Sequence, residues 1–317
     1  MSMQELQVDF NSDEVSLKEL LSVLWKGKVT IIGFVVVFAI ASVTYSLSLP
    51  NIYRADALLA PTETSSASGL GNVSGQLGSI AALAGVNLGS GESSQSGLAV
   101  QVLQSRNFVN MFITKHGLLV PLMASTDWNL GDNDLVIDPE VYDTQSKTWL
   151  RPADGMRGAE PTAQEAYEVF IKRVLSVSLN EETGLYNLSV SHFSPFIAKQ
   201  WVDWLIEDIN DVMRDRAISD ATNNLNYLHA QLEKTSISEM QTTFYSLIEE
   251  QTKSLMLAQA QDEFVFKVVD PAVAPELKSG PKRAIMCVLG TLLGGILGVA
   301  IVLIRFSFFK KNKSTES

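Results

Sequence analysis

The chain has 317 residues, and its 24 Lys and Arg stand against 35 Asp and Glu, a formal net charge of −11. That balance argues against a nucleic-acid partner, because phosphate contacts need a basic stripe. The single cysteine, Cys287, excludes a disulfide within one chain, so stability has to come from packing and subunit contacts.

The first 28 residues form a leader. From Val15 to Lys28 it places Leu17, Leu20, Leu21 and Leu24 at helical spacing and ends in Trp25, Lys26 and Lys28. Such a pattern predicts an interfacial helix leading into a membrane. Val29 to Leu49 then runs without a charge. At about 21 residues it is long enough to cross a hydrocarbon core of roughly 30 Å as a helix. A secretory signal fits poorly, since its apolar core spans about 7–15 residues. Here the small residues Ala39, Ala41 and Ser42 lie inside the run, not after it.

Asn51 to Ala60 reads as a strand closed by Pro61. Thr62 to Gly97 is rich in Ser and Gly, the composition of a long loop. Within it, Gln76 to Val86 is apolar enough for a short helix. Packing is its simplest role; a subunit contact or a membrane-surface patch are the alternatives. Ser96 to His116 is expected as one helix with Leu98, Val102, Phe108, Phe112 and Ile113 on one face and Gly117 at its C-terminal end. Trp128 to Pro161 is turn-rich, with a short strand at Leu135 to Ile137. Thr162 and Glu165 have capping-box spacing and open a helix to Val174. Leu175 to Leu179 and Leu185 to His192 alternate with period two around Gly184, so paired strands are expected.

Ser194 followed by Pro195 is a helix start. Ala198, Val202, Leu205, Ile209 and Val212 continue at 4-3-4-3 spacing, the seam of a helix that packs on another helix. The seam weakens from Arg214 to Asn224 and resumes at Leu225, Leu228 and Leu232. A helix of about 40 residues would be roughly 60 Å long. A second helix carries Ile237, Met240, Phe244 and Leu247 at 3-4-3 spacing and ends near Asp262. Phe264 to Val269 reads as a returning strand. Pro271, Pro275 and Pro281 then hold the chain extended. Ala284 to Ile304 is a second uncharged run. Its Gly290, Gly294 and Gly298 repeat every four residues, a pattern that lets helix backbones approach closely in lipid, against the first span or a neighbouring subunit.

Two crossings put both ends on one side and everything between them on the other. Lys18, Lys26, Lys28, Arg305, Lys310, Lys311 and Lys313 flank the terminal side, against Arg54, Lys278, Lys282 and Arg283 on the other. The positive-inside rule places the termini in the cytoplasm. The expected organisation is a leader at 1–28, a span at 29–49, a base at 50–193, a helical arm at 194–262, a return segment at 263–283, a second span at 284–304 and a tail at 305–317. The fold class is an α+β membrane protein with an α/β base and a long helical arm.

Chemistry is sparse. No phosphate loop and no nucleophile elbow occur. His116, His192 and His229 have no second ligand at helical spacing, so no metal site is expected. The carboxylates at Glu181-Glu182, Glu207-Asp208-Asp211 and Glu249-Glu250 read as solvated faces. No cofactor and no enzymatic activity are expected; a glycan hydrolase is the catalytic alternative, with nothing positive behind it.

Taken together, several stretches resemble the Wzz-type chain-length determinants, the polysaccharide co-polymerases of Gram-negative inner membranes. They are Ser16 to Lys28 running into the first span, Tyr53 to Pro61, Ser191 to Ala198 opening the long helix, Leu257 to Val273, and the Pro-rich approach to the Gly-rich second span. The resemblance implies a periplasmic base, a ring-like homo-oligomer, a membrane polysaccharide polymerase as partner and membrane lipids around the spans, with lipid-linked glycan as a further candidate. It implies control of the length of O-antigen or a related glycan without catalysis. The related exopolysaccharide group carries a fused tyrosine kinase after the second span; the short tail here is expected to carry none. A scaffold for exopolysaccharide or capsule export, working with a separate kinase or outer-membrane channel, is the alternative. The spacing of Leu277 and Lys278 between Pro275 and Pro281 departs from the family's denser proline and is expected to reduce local stiffness.

Overall fold

The computed structural model describes residues 17–62, 95–235 and 237–313. The short helix expected at Gln76 to Val86 lies outside them. In chain order the elements are α1 (Leu17–Lys26), α2 (Lys28–Ser48), β1 (Tyr53–Pro61), α3 (Gln95–Leu103), α4 (Arg106–Lys115), α5 (Leu119–Met123), β2 (Ser125–Asn129), β3 (Asp134–Ile137), β4 (Tyr142–Asp143) and β5 (Thr148–Trp149). There follow α6 (Ala163–Val169), a π-helical turn (Phe170–Val174), β6 (Leu175–Leu179), β7 (Tyr186–His192), α7 (Pro195–Lys234), α8 (Ser238–Ala260), β8 (Phe266–Asp270) and α9 (Arg283–Lys313). It is a mixed helix and sheet fold with a helix long and apolar enough to cross a membrane at each end. The chain divides into two compact units, residues 1–50 with 280–317, and residues 51–279.

In the first unit, α2 and α9 are antiparallel partners: Gly290 lies against Ser42, Gly294 against Phe38, and Gly298 against Ile31. Only Gly27 separates α1 from α2, and its carbonyl accepts from the amides of Thr30 and Ile31. α1 thus leads directly into the span and packs beside α9.

The second unit is built on a four-stranded antiparallel sheet in the order β6-β7-β1-β8. β1 alternates as period two requires. Ala55, Ala57 and Leu59 are buried, while Arg54 and Asp56 face out and bond each other at 2.9 Å. Opposite them β7 buries Leu188 and Val190, and α7 covers this face with Ala198, Trp201, Val202, Leu205 and Ile209. The rest of the core comes from α3, α4 and the π-helical turn, through Leu103, Phe108, Phe112 and Phe170. Because every pairing in the sheet is antiparallel, the base is of the α+β kind.

Three segments depart from the sequence reading. The helix expected over Ser96 to His116 is two helices, because Ser105 adopts extended dihedrals and caps α4 by accepting from the Phe108 amide. The break turns Leu98 outward, 46% exposed, while Val102, Phe108, Phe112 and Ile113 stay inside. The turn-rich region holds two small hairpins, β2–β3 and β4–β5, since Leu135 to Ile137 needs a partner and finds it in Ser125 to Trp128. The third is α8. Its inward positions include Gln241, Phe244, Ile248, Gln251 and Leu255. Ile237, Met240 and Leu247, expected on the seam, are exposed.

Other starts and stops follow local chemistry. Thr162 and Glu165 form the full capping box of α6. Ser194 caps α7 by accepting from the Ile197 amide, with Pro195 in the first turn. Gly117 and Gly184 sit at φ of +64° and +69°, where an L side chain would strain.

Candidate functional site

Two places concentrate what the sequence singled out: the seam between the spans and the root of the arm. At the seam the three glycines share one face of α9. A Cβ at Gly290 would overlap Ser42. One at Gly294 would stand 2.7 Å from the Cβ of Phe38 and 3.0 Å from the carbonyl oxygen of Phe34. One at Gly298 would stand 3.0 Å from the Cα of Ile31. Such contacts are closer than ordinary side chains tolerate, so the glycines let the two backbones nearly touch. Lipid gives no hydrophobic reason for helices to pair, so this dispersion contact has to hold them. The stripe is thereby occupied by α2 of the same chain. Leu289, Leu292, Leu293 and Ile296 of α9 point outward instead.

The approach to α9 is extended. Pro271, Pro275 and Pro281 all lie outside helix and strand. What fixes it is the chain just after α2: Ser279 donates its amide to the carbonyl of Ile52 at 2.8 Å, and Lys278 reaches the Asn51 side-chain oxygen at 3.1 Å. Within the span unit, Arg283 donates to the carbonyl of Leu49 at 3.0 Å.

At the root of the arm, the carboxylate group expected to be solvated is not uniform. Glu207 is exposed and Asp211 partly so, but Asp208 is 1% exposed. Asp208 is held by a short bond from Lys115 and by His116 Nε2 at 2.9 Å. His116 stacks on Trp204 with ring centroids 4.2 Å apart. Burial of a carboxylate requires such partners. The hydrogen bond from Lys115 to Asp208 raises the lysine's pKa above its usual value. His116 is thus not isolated: it ties α4 to α7. His192 is buried too. Its Nδ1 accepts from the Ser194 amide, and its Nε2 lies 3.3 Å from the carbonyl of Pro121. Burial pushes its pKa down to about 4. His229 is exposed on the arm.

Asn210 escaped sequence reasoning. It is 4% exposed on α7, and its side-chain oxygen accepts from the amides of Val265 and Phe266 at 2.8 and 2.9 Å. Its Nδ2 donates to the carbonyl of Phe266 at 3.0 Å. One side chain thus pins the start of β8 to the long helix. A polar residue beside the apolar seam position Ile209 was the available signal.

A surface groove of 370 Å³ lies at the same root, bordered by Asp203, Glu207, Asp211, Asp262 and Glu263 together with Arg214. Arg214 donates to Asp211 at 2.6 Å. Among the described residues, no three His, Cys, Asp or Glu side chains are arranged to hold a metal. Away from it, Arg151 and Thr162 hold Glu165, and the Arg151 bond first of all lowers its pKa to about 2.

Residues 13–116 match the family of chain length determinant proteins, Wzz. Residues 232–307 match the family described as a G-rich domain on putative tyrosine kinase, GNVR. Among solved structures, a full-length bacterial polysaccharide co-polymerase is 16% identical, over 94% of this chain and 99% of that one, at a TM-score of 0.38. A fragment of the polysaccharide co-polymerase WzzB from Salmonella Typhimurium is 13% identical, over 72% of this chain and 99% of that one, at a TM-score of 0.27. No curated protein matches.

Proposed function

We propose that this chain, whose residues 13–116 match the Wzz family of chain length determinant proteins, sets the length of a surface polysaccharide, O-antigen or a related glycan. In this reading it acts without catalysis, as a homo-oligomer, alongside a membrane polymerase. The observation that carries it is the Wzz match over the leader, the first span, β1 and the helices α3 and α4. The flanking charges support termini in the cytoplasm and a periplasmic body.

Self-association draws support from the arm. Met240 and Leu247, seven residues apart on one side of α8, are 47% and 40% exposed in the single chain, and Ile237 just before the helix is 58% exposed. Exposed apolar rows of this kind mark interaction surfaces. A ring of such arms would hold growing glycan or limit its encounters with the polymerase.

The test is the surface polysaccharide profile of a deletion strain on a gel. Loss of the modal band, restored by the intact gene, is the expected result; an unchanged length distribution overturns the proposal. Replacing Gly294 by Leu should alter assembly and modal length together, since no side chain fits against Phe34 and Phe38.

A second reading is favoured by the G-rich match, whose description refers to a putative tyrosine kinase. The protein would then be a scaffold for exopolysaccharide or capsule export with a separate kinase or outer-membrane channel. Co-purification separates the two: a polymerase retained at stoichiometry supports the first, a kinase or channel the second.

A further inference from the structure

The terminal end of the span pair carries a surface that helix packing leaves open. α1 turns the half-buried Val23, Leu24 and Gly27 to one side. A Cβ at Gly27 would stand 2.5 and 2.7 Å from the two methyl carbons of Val302 on α9. The helix is therefore held in place. On its other side Leu21 is 68% and Trp25 73% exposed, one turn apart on the same face. Lys26 and Lys28 are exposed beside them, and the Lys28 ammonium lies 5.2 Å from the centroid of the Trp25 ring.

Chain continuity says what meets this surface. Lys28 opens a helix long and apolar enough to cross a membrane. Trp25 precedes the uncharged run by four residues, about 6 Å along the axis. At that depth lies the headgroup layer, where a tryptophan ring is half in the acyl boundary and a lysine meets phosphate. Placed in water instead, Leu21 and Trp25 would leave a fixed apolar patch that no described residue covers.

We propose that Leu21, Trp25, Lys26 and Lys28 form a binding surface for the headgroups of anionic phospholipids. The apolar pair enters the acyl boundary, and the two ammonium groups donate to phosphate oxygens. Lys28 keeps donors for phosphate while its charge rests near the indole. A net negative lipid is selected over a zwitterionic one, because a choline headgroup returns the charge that its phosphate supplies. The contact of Gly27 with Val302 links this site to the pairing of α1 and α2 with α9, so lipid composition bears on the span pair. This inference stands on membrane crossing and does not depend on the polysaccharide role.

The experiment uses the full chain in nanodiscs containing spin-labelled phosphatidylglycerol or phosphatidylcholine, with the motionally restricted fraction of each read by electron spin resonance. The expected result is a preference for phosphatidylglycerol of about fivefold, the scale of one lysine's attraction to an anionic surface. It should fall toward unity in about 0.5 M salt and in the Lys26→Gln/Lys28→Gln variant, and persist in Lys26→Arg/Lys28→Arg. Emission quenched by shallow doxyl lipids should drop in Trp25→Phe. Equal restriction of the two lipids in the unaltered chain overturns the proposal. So does a preference that survives both glutamines, or a Trp25 shielded from water yet unquenched by lipid, which would mean a protein partner occupies the face. Should the glutamine variant fail to insert, the salt series on the unaltered chain decides.

Discussion

The two halves of α7 have similar apolar spacing and different surroundings. In the first half Ala198, Trp201, Val202, Leu205 and Ile209 are at most 1% exposed, packed on the sheet and on α3 and α4. Beyond Met213 only Ala221 of α7 is buried, along the stretch where α8 runs beside it. α8 in turn buries only Ala258. A heptad-like row thus does two jobs in one helix. In the first half it closes a core; in the second it makes a two-helix pair that leaves Tyr227, Met240, Leu247 and Met256 exposed. A single helix pair has few contacts per residue, so the arm belongs at the low end of local stability and the root at the high end.

The largest test of that contrast removes a root side chain. Trp201→Ala empties a fully buried site among Phe170, His192 and the sheet. It should cost about 3–5 kcal/mol, read as a lower urea midpoint of the full chain in detergent. A loss under about 1 kcal/mol would mean the root is no firmer than the arm.

Asn210→Ala comes next. It leaves the amides of Val265 and Phe266 and the carbonyl of Phe266 without their partner. A cost of about 3 kcal/mol is expected, given roughly 1–3 kcal/mol for each buried group left unpaired. Hydrogen exchange should accelerate most at Val265 and Phe266. Exchange that rises equally along the arm would show that Asn210 does not act as a local pin.

The pH test addresses the same root. His192 has its pKa lowered from 6.5 to about 4 by burial, so the unfolded chain binds a proton that the folded one refuses across that window. Stability therefore falls as pH drops from about 6.5 to about 4, by about 3 kcal/mol in total. His192→Asn keeps an acceptor for the Ser194 amide and should flatten the slope in this window. Glu165, whose pKa is lowered to about 2, acts in the more acid range, where protonation weakens its bond to Arg151.

Local signals carried much of the fold. Ser194-Pro195, Thr162 with Glu165, and Gly184 each mark a boundary through chemistry confined to a few residues, and the structure has all three where expected. The break at Ser105 was equally local but hidden, since Val102 and Phe108 keep helical spacing across it. Tertiary context decided the rest. No spacing rule says that Asp208 is buried, because its partners Lys115 and His116 lie 93 and 92 residues away in sequence. Nor does periodicity choose between Phe244 with Ile248 and Met240 with Leu247 as the inward side of α8. Both are apolar pairs at helical spacing, and the side that faces α7 depends on how the turn around Thr235 and Ile237 directs the chain.

That ambiguity gives the smallest expected effects and the sharpest contrast. Leu228 is half-buried against α8, and Leu228→Ala should cost no more than about 1 kcal/mol, well under the usual price of a core leucine. Met240→Ser with Leu247→Ser removes apolar surface that the single chain leaves in solvent. Stability of the dissociated chain should change by less than about 0.5 kcal/mol, as for surface substitutions. If the outward row of α8 serves assembly, the same variant should shrink the oligomer measured by light scattering in detergent while Leu228→Ala leaves it intact. Oligomers of unchanged size in the serine variant would place the subunit contact elsewhere and leave the outward row of α8 as plain exposed surface.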